Sequence, residues 1–465
     1  MSASVASRAS AQGRLTLLDG WGRLTPSAAF VARPHRPGEV DALLANPPRG
    51  GLIVRGLGRS YGDAAQNTGG LVVDARSLDR ILDLDLGAGT VTAEGGVSLD
   101  RLMRVLLPLG RFVPVTPGTR FVTLGGAIAA DIHGKNHHRD GAFCEHVTEI
   151  VLRTPRGRIV VAPDRDPDVF WATAGGMGLT GLIESATIAI PPVETAWIRA
   201  DHERARDLDD CLGRLDSGDR RYQYSVAWID CRARGRRLGR SVLERGDHAA
   251  VADLDGPAAA DPLRFEPATQ LAAPPWPPGG VLRPLTIPAL NEAYFRRVPR
   301  EERDRLVPLA SFFHPLDGVA AWNRLYGSRG FAQLQALFPF GAEAELRETL
   351  ERLAGARAAS SLALLKRFGA AGAGPLSFPG PGWSLATDVF AHAADGGLLD
   401  RLHEVVAGCG GRVYLAKDSR LRPAAAAAMY PRLGELNAVR TRLDPDGVLR
   451  SDLSRRLALG GGVPA

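Results

Sequence analysis

The chain has 465 residues, 45% of them hydrophobic and 23% charged, a composition that excludes a disordered or fibrous protein. Its 57 basic and 51 acidic residues give a net charge of +6, but the arginines are scattered without interleaved aromatic residues, which argues against a nucleic-acid partner. The length fits about three average domains or two larger ones.

Short strands separated by glycine turns are predicted for the first part of the chain, at residues 51–55, 70–74, 90–94, 149–154 and 158–162. Ser98 predicts the cap of a helix over residues 99–107, because the leucines that follow recur at helical spacing. A second short helix is predicted over residues 166–174, followed by a strand over residues 181–190.

Glycine becomes less frequent after Pro191 and Pro192, which we interpret as a domain boundary. Beyond it, strands are predicted at residues 222–230, 331–338 and 384–390, and helices at residues 342–354 and 398–408. Residues 246–280 are rich in alanine and proline and predict a mobile loop that could serve as a lid. Helical patterns occupy residues 422–442 and 448–459.

Lysine is rare in this chain. Only Lys135, Lys366 and Lys417 are lysines, and the other basic residues are all arginines. These three positions are candidates for sites that need a compact ammonium able to lose its proton, which guanidinium cannot replace. The alternative is that they survive by chance.

The four cysteines, Cys144, Cys211, Cys231 and Cys409, lack any C-x-x-C spacing, so we expect reduced thiols and neither a zinc site nor a disulfide framework. No stretch approaches the roughly 18 apolar residues of a membrane span, and no secretion signal is visible. We therefore expect a protein that is cytoplasmic or peripheral to the membrane, with the periplasmic face left open.

Three glycine segments follow or precede predicted strands. They are R-G-L-G-R-S-Y-G-D at residues 55–63, P-G-T-R-F-V-T-L-G-G-A-I-A-A-D-I-H-G-K-N-H-H at residues 117–138, and A-T-A-G-G-M-G-L-T-G-L-I at residues 172–183. Each alone could be a tight turn. Their occurrence together favours a long phosphate-containing cofactor that lies along backbone amides.

The chain resembles the decaprenylphosphoryl-β-D-ribose 2′-oxidase family, which are flavoproteins of the vanillyl-alcohol oxidase type, over nearly its whole length. The resemblance rests on the glycine segments and on H-P-L-D at residues 314–317, P-L-S-F-P at 375–379, Y-L-A-K-D-S-R at 414–420 and D-P-D-G-V-L-R-S-D-L-S-R-R-L near the C-terminus. It implies an α+β, two-domain, PCMH-type FAD-binding fold with an inserted substrate domain. Residues 1–195 and 413–465 would form the FAD-binding domain and residues 196–412 the substrate domain.

The resemblance also implies a set of residues that contact FAD. They are Arg55, Gly56, Leu57, Gly58, Arg59, Ser60, Tyr61, Gly62, Pro117, Gly118, Thr119, Thr123, Gly125, Gly126, Ala129, Ile132, His133, Gly134, Asn136, His137, Gly178, Gly181, Ile183, Tyr414 and Lys417. Many relatives tether the flavin through a histidine in the first glycine loop. Arg59 stands at that position here, so we expect non-covalent FAD.

The implied reaction removes hydride from C2′ of a polyprenylphosphoryl-β-D-ribose and gives the 2′-keto sugar, for arabinose-donor and cell-wall synthesis. Lys417, Tyr61 and His133 are the catalytic candidates. Lys417 is the first choice, because burial beside another cation would bring the pKa of a lysine towards the working range. Its alternative role is a salt bridge to Asp418, and either pocket lysine could serve binding alone.

Residues expected to bind the lipid-linked pentose phosphate are Trp228, His314, Gln333, Gln335, Lys366, Ser384, Ala386, Asp388 and Lys417. Ser384 and Ala386 stand where the family usually carries asparagine and cysteine. This departure leaves the exact sugar and lipid open. Trp228 and His314 are equally consistent with the core.

A metal site is the alternative interpretation of Asp131, His133, His137 and His138. Glycines among these residues and the lack of an acid-rich surrounding favour flavin contact by His133, and no metal is expected.

The expected partners are a quinone or other electron acceptor, a short-chain reductase that completes the epimerisation, and the membrane surface. Two other functions remain open: a soluble alditol or sugar-lactone oxidase on the same fold, and a glycolipid-binding protein that has lost its flavin.

Overall fold

The computed structural model describes residues 13–218, 220–267, 271–274 and 280–460. Its strands are β1 (Arg14–Leu18), β2 (Ser27–Ala32), β3 (Leu52–Arg55), β4 (Leu71–Asp74), β5 (Ile81–Asp85), β6 (Thr90–Glu94), β7 (Val147–Thr154), β8 (Gly157–Val161), β9 (Leu182–Ala189), β10 (Trp197–Ala205), β11 (Tyr224–Ile229), β12 (Ser241–His248), β13 (Leu271–Ala272), β14 (Glu301–Pro308), β15 (Val319–Ala320), β16 (Phe331–Pro339), β17 (Ala359–Phe368), β18 (Gly382–Phe390) and β19 (Arg412–Val413).

The α-helices are α1 (Pro37–Ala45), α2 (Leu99–Leu106), α3 (Leu124–Ala129), α4 (His137–Asp140), α5 (Pro167–Thr173), α6 (Leu208–Gly218), α7 (Gly256–Ala260), α8 (Ile287–Arg297), α9 (Leu309–Phe313), α10 (Glu343–Gly355), α11 (Ala391–Ala394), α12 (Leu398–Gly408), α13 (Pro423–Met429), α14 (Leu433–Leu443) and α15 (Asp452–Arg456). Short 3-10 turns lie at Ala75–Ser77, Leu107–Leu109, Phe143–His146, Gly235–Arg237, Val251–Asp253, Pro315–Gly318 and Trp322–Tyr326.

Two sheets form the first part of the chain. The first has the order β1-β2-β4-β3, in which β1 is antiparallel to β2 and the other neighbours are parallel. The second is antiparallel, with the order β5-β6-β9-β7-β8. Glycines allow the turns between strands: Gly58 and Gly69 have φ of +65° and +72°, which residues with a Cβ rarely adopt.

The central part of the chain forms one large antiparallel sheet with the order β14-β10-β12-β11-β17-β18-β16-β19. Helices α6, α10 and α12 pack against its strands. Alternate residues of its strands line a central cavity, as the period of two in a strand requires when one face forms a wall.

We propose that the boundary between the two domains lies near residue 195, because the strands on its two sides belong to different sheets. The second sheet ends with Ala189, and the third begins with Trp197. The C-terminal segment then returns to the first sheet, where Leu449 forms an isolated parallel bridge with Leu52.

The helix predicted from Ser98 is confirmed. The Ser98 side chain accepts a hydrogen bond from the Arg101 amide at 3.1 Å and so satisfies one of the amides left free at the start of α2. Leu99, Leu102 and Leu106 of this helix are buried, as their spacing predicts.

The helical pattern over residues 422–442 corresponds to two helices, α13 and α14. Pro431 lies between them, and proline lacks an amide hydrogen and disfavours a helical conformation for the preceding residue. The pattern over residues 448–459 is helical only in α15, since Leu449 bridges to β3.

The loop predicted over residues 246–280 begins too early. Residues 246–248 belong to β12, where they pair with β10, and residues 251–253 and 256–260 are helical. Parts of the predicted loop, residues 268–270 and 275–279, lie outside the described residues. Within the described part of the chain, no helix combines the length and apolar composition that a bilayer span requires.

Arg456 on α15 ties the C-terminal segment to the first glycine loop. Its Nε and Nη2 donate to the two carboxylate oxygens of Asp63 at 2.9 and 2.8 Å, and its Nη1 lies 2.9 Å from Asp418. The Asp418 side chain is only 2% exposed, so this guanidinium neutralises a carboxylate that water scarcely reaches.

Replacing Arg456 with methionine should lower the free energy of unfolding by roughly 3–5 kcal/mol, because the Asp418 carboxylate would stay buried without an ion-pair partner. Arg455 is the matched control: it pairs with Asp452 of its own helix at the surface, so Arg455→Met should cost less than about 1 kcal/mol. Denaturant unfolding of both variants measures the difference, and equal losses would contradict this role of Arg456.

Candidate active site

A cavity of ≈ 780 Å³ lies between the first two sheets and the face of the third. This volume lies in the range of ligand-binding pockets. One end is lined by the glycine segments, the middle by buried polar side chains, and the outer end by apolar side chains.

The glycine-lined end is shaped by a close backbone crossing. The Gly125 amide at the start of α3 donates to the Gly95 carbonyl at 2.8 Å, and an added Cβ at Gly125 would lie 3.1 Å from that carbonyl oxygen. Thr123 caps the helix, with its Oγ1 accepting from the Gly126 amide at 3.2 Å. A side chain at Gly125 would force the two backbones slightly apart, so glycine favours this close approach of α3 to the second sheet.

The third glycine segment is held against the same helix. The amides of Gly175 and Met177 donate to the carbonyls of Ile128 and Ala129 at 3.0 and 2.8 Å. Gly178 follows with φ of +77°, a conformation that favours glycine. The second and third segments therefore form one continuous wall.

The first glycine loop crosses to the polar middle of the cavity. The guanidinium of Arg59 lies 4.0 Å from the ring centre of Trp21 and donates to the Phe121 carbonyl at 3.2 Å. The Tyr61 amide donates to the Ala416 carbonyl at 2.9 Å, which fixes the loop beside Lys417.

Lys417 and Asp388 titrate near neutrality. The Lys417 ammonium lies 3.7 Å from the centre of the Tyr61 ring, and burial, with the positive charge of Lys366, lowers the pKa of Lys417 to about 7 although Asp388 opposes this. Burial raises the pKa of Asp388 to about 7, against hydrogen bonds from Tyr326 at 2.7 Å and Gln333 at 2.5 Å.

Lys366 lies on the adjacent wall. Its Nζ donates to the Gly134 carbonyl at 3.3 Å, and burial lowers its pKa to about 8, helped by the charge of Lys135. Among the described residues, no carboxylate lies within ion-pair distance of Lys366 or Lys417. The alternative salt bridge from Lys417 to Asp418 is therefore wrong, because Asp418 pairs with Arg456.

His133 lies between the glycine-lined end and the two lysines. Burial and the nearby charge of Lys366 hold its pKa well below the usual range, so the ring is neutral. Its Nε2 accepts from Gln335 at 2.7 Å, which leaves the hydrogen on Nδ1. That buried Nδ1 has no hydrogen-bond partner within the described chain, so a donor remains available to a ligand.

The outer end is mainly apolar. Trp228 of β11 packs against Tyr294 of α8 with ring centres 4.7 Å apart, and its indole donates to the Ser361 carbonyl at 2.7 Å. On the neighbouring strand β12, Glu244 pairs with Lys135, whose Nζ also donates to the Phe312 carbonyl at 2.7 Å.

Most of the predicted site residues line this one cavity. They are Gly56, Leu57, Gly58, Arg59, Ser60, Tyr61, Pro117, Gly118, Thr119, Thr123, Gly125, Gly126, Ala129, Ile132, His133, Gly178, Gly181, Ile183, Trp228, Gln333, Gln335, Lys366, Ser384, Ala386, Asp388, Tyr414 and Lys417. Their roles stay predictions.

Six predicted residues lie off the cavity wall: Arg55, Gly62, Gly134, Asn136, His137 and His314.

Four of them support the wall from behind. Arg55 donates to the Asp19 and Ala65 carbonyls, and Asn136 donates to the Pro114 carbonyl. His137 accepts from the Gly369 amide at 3.1 Å, and His314 bonds Thr116 Oγ1 at 2.8 Å. We propose that these residues position the wall and do not touch a ligand.

Several wall residues were missed from the sequence. Trp21, His202, Glu244 and Tyr294 line the cavity, and none belongs to a glycine segment. The sequence held no signal for Glu244, because the strand that carries it, β12, was not predicted. Trp21 follows the short strand β1, and no sequence pattern around it predicts that it lines the cavity.

Comparison with known proteins gives consistent results. Residues 28–162 match the family model of an FAD binding domain. Decaprenylphosphoryl-beta-D-ribose oxidase of Mycolicibacterium smegmatis is 42% identical over 95% of this chain and 97% of that protein. An uncharacterized protein in the mprA 5′ region of Streptomyces coelicolor is 41% identical over 78% of this chain and 100% of that protein. Cytokinin dehydrogenase 5 of Oryza sativa subsp. japonica is 31% identical over 45% of this chain and 43% of that protein.

Gly125→Val should abolish flavin binding, because its side chain would push α3 away from Gly95 and Ile183. Gly118→Ala is the matched control, since an added Cβ there meets nothing within 4 Å. The ratio of flavin to protein absorbance after purification measures the effect. A Gly125→Val protein with full flavin content would contradict the close crossing as the basis of this end of the cavity.

Proposed function

Since the chain belongs to the family of decaprenylphosphoryl-β-D-ribose oxidases, we propose that it oxidises the 2′-hydroxyl of a polyprenylphosphoryl-β-D-ribose to the 2′-keto sugar. Family membership confirms the predicted PCMH-type FAD-binding fold and the predicted class, an FAD-dependent oxidoreductase. The observation that carries the substrate proposal is the pair of buried ammonium groups without ion-pair partners among the described residues, between the glycine-lined and apolar ends of one cavity.

FAD fits the glycine-lined end. Gly118 faces open space, and the unpartnered Nδ1 of His133 offers a buried donor at the junction with the polar middle. We propose that Gly56, Gly125 and Gly178 hold the cofactor through backbone contacts. When bound, FAD supplies the two-electron acceptor that oxidation of a CH–OH group needs.

The flavin is proposed to be non-covalent. Arg59 occupies the position of the tethering histidine of relatives, and its guanidinium is held between Trp21 and the Phe121 carbonyl. Acid denaturation should therefore release the flavin into the supernatant. Flavin that stays with the precipitated protein would contradict this proposal.

Lys366 is proposed to bind the phosphodiester of the substrate. It is buried and has no carboxylate partner within the described residues, so an anionic ligand would neutralise it in a medium of low dielectric constant. Ser384, which accepts from Gln335 at 3.2 Å, and Gln333 lie on the same sheet face and would bind sugar hydroxyls.

Lys417 is proposed to accept the proton of the 2′-hydroxyl. A pKa of about 7 leaves a substantial neutral fraction at physiological pH, which a proton acceptor requires. Tyr61 would act as a neutral hydroxyl that positions the sugar, because burial raises its pKa well above 10. His133 is neutral and would donate through Nδ1.

Anaerobic addition of polyprenylphosphoryl-β-D-ribose should bleach the flavin absorbance. Free alditols and sugar lactones should bleach it far more slowly, because they carry no phosphate for Lys366 and no lipid for the apolar end. The reverse order would favour a soluble alditol or sugar-lactone oxidase. A purified protein without flavin absorbance would favour the glycolipid-binding alternative.

Lys417→Met should lower kcat/KM by about 10²–10⁴-fold while flavin is retained, as for the loss of a proton acceptor. In the wild type, kcat/KM should rise with pH through about 7, because only neutral Lys417 can accept the proton. Lys417→Arg is the control: it keeps the charge but cannot accept a proton, so it should stay slow at every pH. Wild-type activity in Lys417→Arg would overturn the role.

Redox balance requires an electron acceptor, and completion of an epimerisation would require a partner that reduces the keto sugar. Oxidation of the sugar releases two electrons, which we propose pass to a quinone or another acceptor. A short-chain reductase would then reduce the keto sugar with hydride from its own nicotinamide donor and complete the epimerisation. With the oxidase and a quinone alone, the keto sugar should therefore accumulate, and accumulation of an epimerised alcohol would contradict the need for a partner.

A further inference from the structure

The outer end of the cavity opens beside a segment with large apolar side chains in solvent. We call residues 281–297 the mouth segment. In it, Val281, Leu285, Leu290 and Tyr294 are 54%, 84%, 45% and 45% exposed. The described chain exposes fifteen large apolar side chains. Four of them lie in this segment, which is only a small part of the chain. The segment therefore concentrates exposed apolar surface.

The exposed apolar surface is continuous with the cavity. Leu290 and Tyr294 lie four residues apart on α8, so they share one face of the helix, and both line the cavity. The adjoining strip of α8 is anchored, since Asn291, three residues before Tyr294, is fully buried and donates to Asp230 at 2.6 Å. Leu364 of β17, against which α8 packs, also lines the cavity and is 40% exposed.

Arginines surround this surface. The turn over residues 231–237 lies beside the mouth segment, because Arg232 donates to the Pro284 carbonyl at 3.2 Å and Arg237 lies 3.8 Å from Glu292. Together, the turn and the mouth segment contain seven arginines and one carboxylate, that of Glu292. This face carries a strong local excess of positive charge in a chain whose net charge is only +6.

We propose that the mouth segment and the arginine turn dock the protein on an anionic lipid bilayer, with the apolar side chains in the interface and the arginines against lipid phosphates. The inference rests on the proposed function, because a substrate with a polyprenyl chain resides in the membrane. The entrance of the cavity would then face the bilayer, and the substrate headgroup would reach Lys366 without its lipid entering water.

A second copy of the chain is the less favourable occupant. A symmetric dimer brings the same patch of each subunit together, so arginines would face arginines. An anionic bilayer instead supplies negative charge next to apolar volume, which matches both components of the face.

The test is co-sedimentation of the FAD-loaded full chain with vesicles of phosphatidylglycerol or of phosphatidylcholine. Binding to the anionic vesicles, weakened by added salt, is expected. Leu285→Asp should reduce the partition coefficient roughly tenfold or more through lost apolar contact, and Arg236→Glu should reduce it by at least about fivefold. Neither residue lines the cavity.

Matched controls lie in the second sheet. Leu82→Asp changes a leucine of β5 that is 48% exposed, and Arg156→Glu changes an exposed arginine in the turn between β7 and β8. Both should bind the anionic vesicles as the wild type does. Equal losses in the control and test variants would overturn the assignment of this face.

Turnover separates this inference from the proposed function. With substrate dispersed in detergent, Leu285→Asp and Arg236→Glu should turn over as the wild type does; with substrate in vesicles, they should be slower by the loss in binding. If the wild type does not oxidise detergent-dispersed substrate, the proposed function is rejected and the docking face is not. If the wild type does not bind vesicles, the docking face is rejected. A dimer that Leu285→Asp dissociates would also reject it.

Discussion

The backbone of α3 contacts the second sheet without an intervening side chain, and the cofactor end of the cavity depends on that contact. The Gly125 amide reaches the Gly95 carbonyl at 2.8 Å, a separation that any side chain at Gly125 would disturb. Because the third glycine segment hydrogen-bonds to the end of the same helix, displacement of α3 would move two of the three cofactor segments. The first loop is held separately, through Tyr61 and Ala416.

The polar middle of the cavity has an electrostatic imbalance that a ligand must correct. Two buried ammoniums face one carboxylate, Asp388, and the neighbouring imidazole of His133 is kept neutral by burial and by the lysine charges. In such a medium an unpaired charge is costly unless it loses its proton or gains a counter-ion. The pKa of Lys417, lowered to about 7, corresponds to the first outcome. Lys366, with a pKa of about 8, keeps most of its charge at neutral pH, and an anionic substrate would provide the second.

Glycine and lysine carried most of the information that the sequence held about this site. A glycine reports where two backbones or a backbone and a ligand come close, so the three segments could be assigned to one ligand before their contacts were known. The rarity of lysine selected Lys366 and Lys417, both of which lie on the cavity wall. Spacing alone could not place Asn136 and His137, because the four-residue helix α4 directs them away from the cavity.

The sequence did not predict the outer strands of the third sheet, because their charged residues give no strand pattern. Strand β14 reads E-E-R-D-R-L-V-P, and its charged residues suit a sheet edge as well as an exposed loop. Glu244 was missed because an acidic residue on a strand normally marks the solvent face, whereas here Lys135 pairs with it and His202 hydrogen-bonds to it beside the cavity. Such pairings join residues far apart in the chain and leave no local pattern.

The contact of Arg456 with Asp63 joins residues that are 393 positions apart. The carboxylate of the first glycine loop therefore meets its partner only when two distant parts of the chain have come together. Contacts of such long range are reached slowly in folding, and strand edges stay open to aggregation in the meantime. The first glycine loop, and with it part of the cofactor end of the cavity, is thus completed by a residue of the C-terminal segment.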